Sequence, residues 1–106
     1  MTQPLIPQTE AAWQRFVTDY AESLGWQWLH IGRTGKYQKV AAKGTLGKGW
    51  PDLLLIKGDR ILAVECKGQD GKLSEEQKRV LSILTEVMPA VVVRPSDFAA
   101  LADLLH

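Results

Sequence analysis

PDLLLIKGDRILAVECK, residues 51–67, decides the fold of this chain. Two β-rich apolar runs, Asp52 to Lys57 and Arg60 to Lys67, flank Gly58-Asp59, a residue pair that suits a two-residue hairpin turn. Counting outward from that turn places Asp52 directly opposite Glu65. Opposed residues have Cβ atoms about 4.5–5.5 Å apart, and residues two apart on a strand share a face. Asp52, Glu65 and Lys67 therefore project together from one end of the hairpin, beyond Leu54, Ile56, Ile61 and Ala63. Cys66 points to the opposite face and reads as a small core residue rather than a nucleophile. Both faces of the hairpin are apolar, which makes it the centre of a sheet.

On the N-terminal side, Thr9 is an N-cap, and Trp13, Phe16, Val17, Tyr20, Ala21 and Leu24 recur at helical spacing until Gly25 stops the pattern. Trp26 to Ile31 reads as a strand, and Tyr37 to Ala42 as a short edge strand. On the C-terminal side, Ser74 to Thr85 has a capping serine, acids in the first turn, and Val80, Leu81 and Leu84 on one side. Ala90 to Val93 reads as a short buried strand. Pro95-Ser96-Asp97 then reopens a helix carrying Phe98, Leu101, Ala102 and Leu105. The order predicts a mixed α/β fold with one sheet between helices.

The chain has 106 residues, 45% of them hydrophobic and 24% charged, a composition for one globular domain spanning 1–106. Cys66, the one cysteine, rules out an internal disulfide, and no Cys/His cluster has zinc spacing. The first eight residues lack a basic stretch followed by an apolar run, and no 18 consecutive apolar residues occur. These features predict a cytoplasmic protein with no membrane partner.

Net charge is only +1, yet no acid occurs between Ser23 and Pro51. Arg33, Lys36, Lys39, Lys43 and Lys48 instead alternate there with Gly32, Gly35, Gly44, Gly47 and Gly49. One reading of this strip is a solvated loop. The reading favoured by the acidic pair just downstream is a set of phosphate contacts.

Opposed carboxylates at the edge of an apolar layer are unfavourable unless a cation, a shared proton or solvation compensates. A divalent metal is the economical answer: Asp52 and Glu65, the backbone carbonyl of Cys66 and several waters make the oxygen shell that Mg²⁺ or Mn²⁺ prefers. Such an ion, with Lys67 beside it, suits phosphodiester hydrolysis. The competing reading has Asp52 as a turn residue and Glu65 and Lys67 as an ion pair at a solvated sheet end.

Gly49-Trp50-Pro51-Asp52, Glu65-Cys66-Lys67, and Ser74 with Gln77 at a helix start together resemble the virus-type replication-repair nuclease (VRR-Nuc) domain. That domain belongs to the PD-(D/E)XK nuclease superfamily. The resemblance runs from the first helix to Val91-Val92-Val93-Arg94-Pro95 and implies a restriction-endonuclease-like αβββαβα core. It implies a stand-alone minimal nuclease of bacterial or phage-infected cells, acting on DNA. Asp52 and Glu65 would be metal ligands, Lys67 the catalytic lysine, Glu10 a helical acid assisting the metal, and Gln77 a helical glutamine of the site.

Each residue also has a local role. Glu10 suits a helix N-terminus through the dipole, and Gln77 completes a capping box with Ser74. Trp50 and Tyr37 either stack on bases or pack, and His30 acts near the site or simply ends a strand. The small size and resolvase-like kin favour a homodimer cutting branched or Holliday-junction DNA. The other class of function is a non-catalytic nucleic-acid-binding module on the same fold.

Overall fold

The computed structural model describes residues 5–31 and 44–106. Helix α1 (Glu10–Ser23) is followed by strand β1 (Gln27–His30) and a 3-10 turn at Gly47–Gly49. The hairpin β2 (Leu53–Lys57) and β3 (Arg60–Cys66) comes next, then α2 (Glu75–Thr85) and β4 (Ala90–Val93). A second 3-10 turn, Pro95–Asp97, leads into α3 (Phe98–Leu105). Among the described residues the order is αβββαβα, the one the family resemblance implies.

The four strands form one sheet in the order β1-β2-β3-β4. β1, β2 and β3 pair antiparallel, while β4 lies parallel to β3 and is reached through α2, since parallel neighbours need a crossover. Leu53 pairs with Val64 and Lys57 with Arg60, the register counted from Gly58-Asp59. Gly58 sits at φ +62°, a left-handed conformation that suits glycine. β2 and β3 are the inner strands, as their two apolar faces require.

The faces are covered unequally. α1 and α3 cover one face with Trp13, Val17, Ala21, Leu101 and Leu105, which pack with Leu53, Leu55, Leu62, Val64 and Cys66. α2 covers the other, setting Val80 and Leu84 on Ala63, with Leu46, Trp50, Met88 and Ala90 around them. Burying one such leucine or valine contributes about 1.5–3 kcal/mol, so both layers hold the sheet against its helices. α1 begins at Thr9, whose hydroxyl accepts from Ala12 N–H, and the chain turns at Gly25, φ +91°.

Three features differ from the sequence expectation. Trp26 lies outside β1 because its ring turns into the core, 3% exposed, and its Nε1 donates to Leu105 O (2.9 Å). β4 is an edge strand in which only Val93 is buried, because one side of it has no neighbouring strand among the described residues. Pro95 to Asp97 is a 3-10 turn ahead of α3 rather than its first turn. The expected strand Tyr37 to Ala42, with Arg33, Lys36, Lys39 and Lys43, lies outside the described residues.

Candidate active site

Asp52 stands one residue before β2 and Glu65 one residue before the end of β3, so the register sets them opposite each other. Each carboxylate is held by the main chain of the other's strand. Asp52 N–H donates to Glu65 Oε1 (3.2 Å), and Cys66 N–H donates to Asp52 Oδ2 (3.0 Å). Glu65 is 2% exposed and Asp52 half-buried.

α2 reaches the same pair through its first turn. Ser74 Oγ accepts from Gln77 N–H (3.1 Å), and Ser74 N–H donates to Gln77 Oε1 (2.8 Å). The amide is thereby oriented so that Nε2 donates to Glu65 Oε2 (3.0 Å). The capping-box reading of Gln77 is realised, and because the box spends Oε1 it leaves Nε2 free to meet Glu65.

Lys67 closes the cluster. Its Nζ is 3.8 Å from Glu65 Oε2 and 3.9 Å from Glu10 Oε1, and its side chain is only 13% exposed. The structure thus brings together Asp52, Glu65, Lys67, Gln77 and, on the outer side of the lysine, Glu10. The thiol of Cys66 lies in the core, its ionisation pushed up by burial and by Asp52, which agrees with an inert packing residue.

Burial is also the main force on the acids. It pushes Glu65 up to about 8 from an ordinary 4.5, with the charge of Asp52 adding to it and Lys67 opposing it. Asp52 is raised too, by burial first and then by Glu10, against the Cys66 N–H, His30 and Lys67. The pair is therefore short of positive charge, which Lys67 supplies only in part.

Sequence reasoning gave no physical role to Gly49. A Cβ there would lie 2.2 Å from Glu76 O and 2.9 Å from Gln77 N, so the turn Gly47–Gly49 packs directly on the backbone that carries Gln77. The glycine before Trp50-Pro51-Asp52 was the available signal. The contact is reinforced by Lys48 Nζ to Glu76 Oε1 (3.4 Å) and by an Arg79 hydrogen bond to Thr45 O. Trp50 takes the packing reading, against Ala63, Val80 and Leu84.

Among the described residues, no group of three or more His, Cys, Asp and Glu side chains stands together as a metal cluster. The two carboxylates still fit a divalent ion in their chemistry: hard oxygen donors, largely withdrawn from water, opposed, and under-neutralised. Asp52 and Glu65 would hold it, with the Cys66 carbonyl next in line on β3. Glu10 shares Lys67 with Glu65, and its charge reaches both carboxylates.

No curated protein and no solved structure matches the chain. A family match covers residues 8–97, from before α1 to the turn ahead of α3, and so includes every element that supplies a site residue. The match is to the VRR-NUC domain, and on that extent the chain belongs to the VRR-NUC family of nuclease domains.

Proposed function

We propose that this chain is a Mg²⁺- or Mn²⁺-dependent DNA endonuclease whose centre is Asp52, Glu65 and Lys67. The observation that carries the reading is the clasp of two opposed carboxylates, Glu65 buried and Asp52 half-buried, beside a sequestered lysine. Holding two like charges together costs stability unless they serve a positive partner. A divalent cation, when bound, supplies Lewis-acid polarisation and charge neutralisation at the phosphoryl group.

The chain's own residues do the rest. The cross-strand amides aim Asp52 and Glu65, and Gln77 holds Glu65 in its rotamer from α2. Lys67, held between Glu65 and Glu10, places an ammonium beside the reacting phosphodiester to offset the negative charge that builds there. Glu10 assists by fixing Lys67. Arg33, Lys36, Lys39, Lys43 and the exposed Lys48 grip flanking phosphates.

The reading includes a homodimer acting on two strands of branched DNA. Its support is apolar surface left uncovered on the α2 side: Leu29, Ile56 and Ile61 on the sheet, Ile83 on the helix and Val87 in the turn after it. The test is a panel of labelled single-stranded, duplex, flap and four-way-junction DNA with Mg²⁺, Mn²⁺ or EDTA, alongside the mass in solution. Metal-dependent cutting with preference for branched forms, and twice the chain mass, are expected. With five phosphate contacts, log K should fall against log salt with a slope of about −4 to −5. Salt-sensitive binding without cutting of any DNA would favour the non-catalytic binding module.

A further inference from the structure

Trp28 is 44% exposed on edge strand β1, although its register partner Leu55 is fully buried. Trp28 and His30 are two apart and share the face covered by α1. The indole is tethered, since its Nε1 donates to Glu22 Oε2 (3.4 Å). On either side of the ring lies a hollow between α1 and β1.

The two hollows differ in charge. One, about 190 Å³, is lined by Glu22, Gly25, Trp26 and Gln27, and its carboxylate repels phosphate. The other, about 180 Å³, is lined by Gln14, Arg15, Thr18, His30 and Leu53, and holds no carboxylate. The Thr18 hydroxyl is spent on Arg15 O (2.9 Å), while Arg15 has no carboxylate within ion-pair distance among the described residues. The second hollow opens on the α1 face, opposite the face from which Asp52 and Glu65 project. It meets the candidate centre only at the end of the sheet, where His30 pairs with Leu53 and acts on Asp52, and Ile31 N–H donates to Asp52 O (2.7 Å). Its size is well below the ~300 Å³ at which pockets for drug-sized ligands begin, which suits a single planar base.

We infer that this hollow holds one unpaired nucleotide of the DNA strand being cut, its base on Trp28 and its phosphate on Arg15 and His30. A cation beside a part-exposed aromatic is how proteins grip single strands, the ring accepting any base and the cation the backbone, and a guanidinium fork matches phosphate oxygens. The inference rests on the DNA reading above and sharpens it, because a strand that passes around the sheet end from the centre to this hollow must be unpaired there, which selects flaps and junctions over perfect duplex.

The experiment is binding of a short labelled oligothymidylate in EDTA, where nothing is cut, followed by anisotropy and by tryptophan fluorescence. Trp28→Ala and Arg15→Gln should each weaken binding about tenfold or more. Trp28→Phe keeps a stacking ring at an exposed position, so it should bind within a few-fold of wild type yet lose most of the fluorescence quenching. Unchanged affinity in both Trp28→Ala and Arg15→Gln, or full quenching in Trp28→Phe, would overturn the subsite. The two readings fail separately. Trp28-dependent binding with no cleavage of any DNA supports the subsite and sinks the nuclease, and cleavage with Trp28-independent binding does the reverse.

Discussion

Asp52 and Glu65 exchange main-chain hydrogen bonds across the β2–β3 pair: the amide of Asp52 serves Glu65, and the amide beside Glu65, that of Cys66, serves Asp52. The arrangement fixes both carboxylates without neutralising either. Amide donors favour the ionised form, yet burial and mutual repulsion outweigh them at Glu65.

The stability of the protein should therefore fall as pH rises. Glu65 has its carboxyl raised to about 8 in the fold against an ordinary 4.5, so between those values the folded chain binds the extra proton. Stability is fully present below 4.5, declines through that window by at most ~1.4 kcal/mol per pH unit, and levels off above about 8. Glu65→Gln should flatten this slope and melt higher than wild type at pH 9. Thermal melts from pH 4 to 9 check it, and parallel curves would contradict the assignment.

Divalent ions should reverse that loss. At pH 8.5, Mn²⁺ at a hundred times its Kd should stabilise the wild type by ~2.7 kcal/mol, a rise of roughly 10 °C or more for a chain of this size. Asp52→Asn and Glu65→Gln should show little shift. Equal shifts in all three, read by calorimetry, would place the ion elsewhere.

Ser74 should matter to the site as well as to its helix. Ser74→Ala removes the hydroxyl that Gln77 N–H uses and should cost about 1 kcal/mol of stability. Gln77→Ala also strips Glu65 of a donor and should cost about 1–3 kcal/mol with a larger fall in kcat than Ser74→Ala. Denaturant melts and cleavage rates for both variants separate the two contributions.

Gly49→Ala should be among the most damaging of conservative changes. Its Cβ meets the backbone of Glu76, which has no rotamer to yield, so the turn must lift from α2. A loss of several kcal/mol, on the scale of severe overpacking, with Gln77 drawn away from Glu65, is expected. A melting temperature unchanged from wild type would show that the turn does not pack against α2.

Most of the central architecture is legible in residues 51–67, because a two-residue turn fixes register and register fixes which side chains meet. The clasp of Asp52 and Glu65 follows from it. The Cys66 assignment follows too, from alternation alone. What pattern could not supply were relationships between distant segments: Gly49 on the backbone of α2, Lys67 shared by Glu65 and Glu10, and Trp26 pulled out of its strand by Leu105 O. Each depends on how helices seat on the sheet, which local periodicity does not encode. Gln77 shows the limit from the other side, since its spacing announced a cap and only the fold shows the free Nε2 meeting Glu65.

The most direct test of the account is single-turnover cleavage of labelled branched and duplex DNA by wild type and Asp52→Asn, in Mn²⁺ and in EDTA. Cleavage by wild type in Mn²⁺ alone, lost by at least a hundredfold in Asp52→Asn while DNA binding is retained, is the predicted result. Cleavage that survives EDTA, or that Asp52→Asn carries out at the wild-type rate, would contradict it.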